Sequence, residues 1–584
     1  MNGRLTATRT AALATTAGAS LVGGWLFLRF TGLGGLTLID LLRTGLVVIT
    51  GFWLVWGAYP VQLGLLDRSE RTGDQPIRRP RGKTVVLVPI YNEDPIATFS
   101  RIAAMNLSLI DLGMEERFHF VVLSDTQNLE IASREALWFA RLMREPRSTG
   151  RIFYRRRSKN IGRKAGNIED FIAQSGAAYD YALVLDADSL MEGEAMVRLA
   201  TRLDEDTQLG LLQTVPRIIG ARTVFGRVMQ FAAGYLSPIY AAGAAKLQGN
   251  EGPYWGHNAI VRLSAFAGSC GLPKLSGRPP FGGHILSHDY VEAALLSRSG
   301  WKVQVDLSIT GTYEEGPENL IEYAKRDRRW CQGNLQHSRL LAAPRLKFWS
   351  RLTFLQGIMA YLASPLWLVL LAASIIAASF PNMPPVLSFV GATDQGIWAL
   401  SLAVVTVLVL PKILILLAGA VTGRNKRFGG TLRAGTSLLA EIVFSTCLAP
   451  VMLLLQSWAV VQVLLGLDGG WPATRRDNDQ VSMKDAFAGT WWITCIGIIV
   501  LTITLVWAPA TLVWVLPAML PAIAAPALIS WSSRGFSHAW LFLSEAEAAP
   551  SPIVLSQRAI AADWHPKTGL STPLDAGVPA RVLA

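Results

Sequence analysis

A chain of 584 residues, 51% hydrophobic and only 16% charged, is long enough for several structural units but is too apolar for an ordinary soluble domain. The formal net charge of +12 does not by itself point to nucleic acid. Much of the basic excess sits beside apolar runs (Arg78, Arg79, Arg81 and Lys83, then Arg424, Lys426 and Arg427), as in cytoplasmic loops that meet anionic lipid, and no zinc-finger or RNA-binding signature accompanies it. Cys270, Cys331, Cys447 and Cys495 have no paired spacing, so neither a disulfide framework nor a zinc site is implied.

A membrane span needs about 20 apolar residues. The first candidate, 11–31, follows Arg4 and Arg9. Alone it reads like a signal peptide, but a second run at 44–66 follows closely, and residues 1–66 are expected to hold two retained transmembrane helices. Two crossings from a cytoplasmic N-terminus return the chain to the cytoplasm, in agreement with the basic stretch at 78–83.

Residues 67–350 read as a cytoplasmic α/β domain. Apolar strand-like runs at 84–90, 120–123 and 182–185 alternate with helical stretches such as 133–145, the pattern of a largely parallel sheet covered on both faces. The region 351–532 is again apolar, with spans expected at 353–380, 397–420, 491–508 and 510–532. Between them, 435–466 is too long for one tidy span, too short for two, and interrupted by Pro450. It is expected to be interfacial or re-entrant, with a tilted hairpin as the alternative. A loop follows over 467–490. Six crossings leave a cytoplasmic tail, 533–584, which has no clear period and is expected to be mobile.

Candidate chemistry falls at the C-terminal ends of the strands, where open α/β sheets bind ligands. The first strand runs into Tyr91-Asn92-Glu93-Asp94, suited to stacking on a base and accepting its N–H or ribose hydroxyls. The second ends in Ser124-Asp125-Thr126. The segment Gly162-Arg163-Lys164-Ala165-Gly166-Asn167 can open a helix and present a cation to phosphate. Asp186-Ala187-Asp188 closes another strand. Residues two apart on an extended chain share a side, so the two carboxylates are expected to converge on a hard cation, Mg²⁺ or Mn²⁺, that keeps water and diphosphate as other ligands. Asp289 follows the pair Gly282-Gly283. With Glu292 it also reads as a capping box for a helix over 290–299 ended by Gly300. His284 and His288 lack an evident third partner for a metal site. On a helix, Arg326, Arg329 and Trp330 share one face, as two cations and an indole platform for a sugar, or as a juxtamembrane basic belt.

In this order, between spans, these motifs resemble the processive glycosyltransferases of family 2, which include cellulose and hyaluronan synthases. The phrases Gly256-His257-Asn258-Ala259, Tyr313-Glu314-Glu315 and Arg326-Asp327-Arg328-Arg329-Trp330 are most similar to the subgroup that makes osmoregulated periplasmic glucans. The resemblance implies an α/β glycosyltransferase A-type cytosolic domain inserted between transmembrane helices in the bacterial inner membrane, with UDP-glucose as donor. The product is implied to be a growing β-glucan chain, formed with inversion and passed across the lipid bilayer.

Carried over, Tyr91, Glu93 and Asp125 hold uridine, Lys164 and Asp186 meet the diphosphate, and Asp188 ligates metal. Asp289 matches the general base, and Arg329 and Trp330 match an Arg-Trp pair. Trp471, Thr474 and Arg475 resemble a gating loop. Related glucan enzymes imply acyl carrier protein as a partner, without residue evidence here. The sequence departs from the pattern at Arg326, where a glutamine is usual, and at His288, where cellulose synthases have an acid. Both bear on acceptor geometry and linkage. The competing readings are a family 2 enzyme that loads one sugar onto a polyprenyl phosphate, another polysaccharide synthase, and a nucleotide-binding transporter, whose spans should carry polar residues.

Overall fold

The computed structural model of the protein describes residues 2–32, 35–67, 76–388, 396–467, 480–536 and 540–565. Two apolar helices come first, α1 (Asn2–Thr31) and α2 (Leu38–Leu65). The α/β domain then runs through β1 (Thr84–Ile90), α3 (Pro95–Asp111), β2 (Phe118–Ser124), α4 (Leu129–Leu142), β3 (Ile152–Arg156), α5 (Arg163–Ser175), β4 (Tyr181–Val184), β5 (Leu190–Met191), α6 (Gly193–Glu205), β6 (Leu209–Gln213) and β7 (Arg217–Ile219). It continues with α7 (Val224–Tyr235), α8 (Ser237–Gln248), β8 (Ala259–Arg262), α9 (Leu263–Ser269), α10 (His288–Arg298), β9 (Lys302–Val305), β10 (Thr312–Glu315) and α11 (Leu320–Gln336). After it come α12 (Phe348–Ser379), α13 (Gly396–Val421), α14 (Thr431–Leu464), α15 (Met483–Trp507), α16 (Leu512–Ile523), α17 (Ala525–Ser532), α18 (Glu545–Ala548) and α19 (Pro552–Trp564).

The main sheet has seven strands in the order β3-β2-β1-β4-β8-β6-β9. β3, β2, β1 and β4 are mutually parallel, β8 is antiparallel to both its neighbours, and β6 and β9 are parallel. Both faces are covered, which accounts for the unbroken apolar run of β1. Val86 and Val88 pack with Phe99 and Ile102 of α3, while Val85 and Leu87 pack with Ile168 and Phe171 of α5. Chain order reverses between β1 and β4, and the crevice at that switch is where a ligand fits. A small sheet, β5-β10-β7, stands beside it.

Among the described residues, α1, α2, α12, α13, α14 and α15 contain segments long and apolar enough to cross a membrane. The segment expected as one span at 510–532 is instead broken, bending by 55° between its two helices. The region 435–466 lies in one continuous helix, α14, which Pro450 does not interrupt, so the hairpin alternative is wrong. Near its start, Ser437 Oγ accepts from Phe542 N at 3.0 Å and Arg433 Nε donates to Trp540 O at 2.6 Å. Near its end, Gln456 Nε2 donates to Asp327 Oδ2 at 3.1 Å and Gln462 Oε1 accepts from Arg328 Nε at 2.9 Å. Both ends therefore meet the α/β domain or the C-terminal segment.

The expectation of a mobile tail fails for residues 540–565. Ile553, Val554 and Trp564 join the core that contains Val86 and Phe99, and Trp564 stacks on Trp138 with ring centroids 5.5 Å apart. Glu547 pairs with Arg227, and Glu545 lies 3.0 Å from Arg427 and 3.5 Å from Arg217. Helix α19 reaches Ser100 of α3 through Gln557 and Trp138 of α4 through Trp564, contacts with distant residues that no local period can reveal.

Candidate active site

A cavity of about 1010 Å³ opens at the C-terminal ends of β1 and β4. Tyr91, Glu93, Asp125, Lys164, Asp186, Asp188, Asp289, Arg326, Arg329 and Trp330 all line it. These residues come from separate stretches of chain, and each stretch reaches the cavity for a local reason.

At the end of β1, Asn92 takes a left-handed conformation with φ 56°. Its N–H donates to Thr126 Oγ1 at 2.9 Å, and its side-chain oxygen accepts from Asn128 N at 3.2 Å. The first two strand-end turns are thus joined, with Tyr91 and Glu93 on the cavity wall. Asp94 has a structural duty instead and caps α3, accepting from Ile96 N and Ala97 N. Asp125 accepts from Arg157 Nε at 2.5 Å, Arg157 Nη2 at 2.9 Å and Asn167 Nδ2 at 3.0 Å. A carboxylate has roughly four acceptor sites, so about one remains for a ligand, held in a fixed direction.

Gly162, at φ 70°, opens α5, and a Cβ there would lie 2.9 Å from Gly166 Cα. The helix start presents Lys164, whose Nζ bonds Asp186 Oδ1 and also Gly256 O at 2.7 Å. Burial alone would raise Asp186, but Lys164, His257 and Arg326 outweigh it and hold the carboxyl well below the usual range. Contrary to expectation, Asp186 and Asp188 do not lie on an extended strand, because β4 stops at Val184. The two acids belong to a turn in which Ser189 N donates to Asp186 O at 3.0 Å and Asp186 N donates to Ser189 Oγ at 2.9 Å. Both line the cavity from this turn, directly after β4.

Gly256, at φ 84°, brings Asp289 to this group, since a Cβ on it would sit 3.4 Å from Asp289 Oδ2. The capping-box expectation is also overturned. α10 begins at His288 behind Ser287, which makes no side-chain cap bond, and Glu292 pairs with His288 Nδ1 at 3.0 Å. Asp289 lies in the first helical turn and is not the residue that precedes the helix. Burial raises its carboxyl, with Glu292 adding and His288 opposing. His288 is itself raised, because Glu292 outweighs the effect of burial.

α11 holds both ends of this arrangement. Arg326 stacks over the Trp330 ring at 4.5 Å, and Arg329 is lowered by burial and by Arg326, with Glu93 opposing. One helical turn further on, Gly333 packs so closely on Ser287 that a Cβ would clash. Gln336 accepts from Leu286 N at 3.0 Å and donates to His284 O at 3.1 Å. The loop that delivers Asp289 is thereby pinned to the helix that delivers Trp330.

Sequence reasoning missed several wall residues. His257 lies 3.5 Å from Glu314, whose carboxyl burial raises and His257 opposes. Glu547, Gln557 and Arg558 reach the cavity from the C-terminal segment, and only the packing of Trp564 could have signalled their approach. Trp471, Thr474 and Arg475 lie outside the described residues.

A largely parallel sheet with acids and cations at its switch point, flanked by apolar helices, defines a membrane-associated glycosyltransferase with an A-type fold. The family described as "Glycosyl transferase family 2" matches residues 85–268, and "Glycosyl transferase family group 2" matches 181–421. A glucans biosynthesis glucosyltransferase H of Cereibacter sphaeroides is 50% identical over 98% of this chain and 97% of its own. One from Caulobacter vibrioides is 41% identical over 77% of this chain and 69% of its own. The chain belongs to the glucans biosynthesis glucosyltransferase H family. A solved Pyrobaculum calidifontis mannosyltransferase, in complex with GDP-Man and Mn²⁺, covers 66% of this chain and 98% of its own at 14% identity and a TM-score of 0.43, a likeness too distant to bear on donor or metal.

Proposed function

We propose that the protein is an inverting, processive glucosyltransferase that takes UDP-glucose from the cytoplasm. It builds the β-glucan backbone of osmoregulated periplasmic glucans and passes it across the bacterial inner membrane. The observation that carries this reading is the meeting of Lys164, Asp186, Asp188, Asp289, Arg326, Arg329 and Trp330 in one cavity beside an apolar helix bundle. The names of the relatives supply the glucan.

In this reading Tyr91 stacks on the uracil, while Glu93 and the remaining acceptor site of Asp125 take its N–H or ribose hydroxyls. Lys164 and Arg329 face the diphosphate and stabilise charge as UDP leaves. Trp330, steadied by Arg326 stacked on its ring, offers the acceptor sugar a flat platform. Asp289 takes the acceptor hydroxyl proton, and its raised pKa makes it a better base than an exposed aspartate. A single in-line displacement then inverts the anomeric carbon, and no side chain is needed as a covalent nucleophile.

Asp188 and Asp186 would hold Mg²⁺ or Mn²⁺. The described residues contain no cluster of three or more His, Cys, Asp or Glu able to hold a metal. Two carboxylates at a polar wall still fit a hard cation that completes its shell with water and diphosphate oxygens. When bound, that cation supplies charge neutralisation at the leaving group.

Arg9 near the N-terminus donates to Leu247 O and Gln248 O, each at 2.7 Å, and the C-terminal segment packs on the α/β domain. Both contacts support six crossings with residues 67–350 and both chain ends in the cytoplasm. α14 then lies along the cytoplasmic interface. Trp471, Thr474 and Arg475 are assigned to a gating segment.

Purified protein in detergent with labelled UDP-glucose and Mg²⁺ should release UDP and form a β-linked polymer, read by linkage analysis. Transfer of a single glucose to polyprenyl phosphate without polymer would overturn the reading.

A further inference from the structure

Behind the cavity wall, an arginine that no motif includes reaches the turn that carries both acids. Arg101 lies in α3, a helix whose Phe99, Ile102 and Met105 are almost fully buried. Its own side chain is only 7% exposed. Nη1 donates to Ala187 O, the carbonyl between Asp186 and Asp188, at 3.0 Å. Nη2 donates to Glu315 Oε1 at 2.5 Å. Glu315 closes β10, whose Thr312 and Tyr313 pair with Met191 and Leu190 of β5, immediately beyond the turn. One guanidinium therefore ties α3, the turn and the small sheet together.

A buried cation is costly unless it is paired and hydrogen-bonded, and here both prongs of the fork have fixed acceptors. The turn's internal bonds to Ser189 set its shape. The Arg101 bond sets where the turn stands relative to the sheet. Two carboxylates at one site tend to separate, and Lys164 restrains Asp186 itself.

We propose that Arg101 is a positioning residue that holds Asp186 and Asp188 at the spacing a divalent cation needs, with Glu315 as the anchor for its second prong. The proposal rests on the metal role assigned above. Its test separates the two by measuring UDP affinity calorimetrically in detergent, with Mn²⁺ and with EDTA. Wild-type protein should bind UDP more tightly with Mn²⁺. Both Arg101→Met and Arg101→Lys should lose about tenfold of that gain, while affinity in EDTA, set by Tyr91, Glu93 and Asp125, stays within about twofold. The lysine keeps the charge but not the fork.

Glu315→Gln keeps an acceptor for Nη2 and should retain most of the gain. An unchanged Mn²⁺ gain in both arginine variants would overturn the proposal. So would a parallel loss of affinity with and without Mn²⁺, or failure of the lysine variant to fold, each of which makes Arg101 a general packing element. If the wild-type affinity ignores Mn²⁺, the metal role falls first and the proposal with it.

Discussion

Replacing Asp289 by asparagine removes a proton acceptor while leaving the volume of the side chain intact. The stability cost should be small, because Ser287 and not Asp289 precedes the helix, and an asparagine oxygen can still accept from the Tyr290 N–H that Asp289 now meets. A first-turn carboxylate gains about 0.3–1 kcal/mol from the helix dipole, but burial raises the Asp289 pKa, so ionisation there is disfavoured on balance. A group whose folded pKa lies above its unfolded value favours the folded state below the unfolded pKa, near about 3.9 for aspartate, and costs stability as pH rises through the folded value. The amide of D289N carries no such cost, so the variant should melt at or slightly above the wild-type temperature at neutral pH.

Catalysis should respond in the opposite sense. Loss of the base should slow glucosyl transfer at least about a hundredfold, or about 2.7 kcal/mol in barrier, with UDP affinity retained. Wild-type turnover should fall on the acid side with an apparent pKa above the ordinary aspartate value, following the raised carboxyl. The assay is initial UDP release across pH, beside UDP calorimetry and thermal melting. Near-normal turnover in D289N, with about 1 kcal/mol of lost stability, would refute the reasoning and return Asp289 to a helix-start role.

Metal removal is the second test: EDTA should stop turnover and Mg²⁺ or Mn²⁺ restore it, whereas full activity after stringent chelation would exclude Asp186 and Asp188 as ligands. For topology, a cysteine at exposed Lys159, in the loop after β3, should escape an impermeant reagent added to intact cells. Efficient labelling would invert the assigned orientation. In the C-terminal segment, Trp564→Ala removes a buried side chain stacked on Trp138 and should cost about 3–5 kcal/mol, seen as protease sensitivity of 540–565. Unchanged protease resistance and melting would mean that the segment is not held through this contact.

Much of the architecture is local and was legible from the chain. β1 spans the expected 84–90, α5 opens after Gly162 as its residues suggest, and the apolar runs at both ends form long helices. Hydrophobic periodicity reports these because each element's burial is written in its own residues. The site candidates within the described residues could likewise be named one motif at a time, since each sits near a strand end or on a short helical stretch.

Their arrangement was another matter. Asp186 and Asp188 do not alternate on a strand, since β4 ends at Val184, and Asp289 does not precede α10, which starts at His288. The decisive contacts join residues far apart in sequence: Lys164 to the Gly256 carbonyl, Gln336 to the His284 loop, Arg101 to Ala187, and Trp564 to Trp138. By itself the sequence determined where most of the long apolar helices and the first strands fall, because burial and turn chemistry act within a few residues. Only the tertiary structure decided which acids share a wall, what holds them there and that the tail closes on the domain, because those outcomes depend on groups brought together from distant parts of the chain.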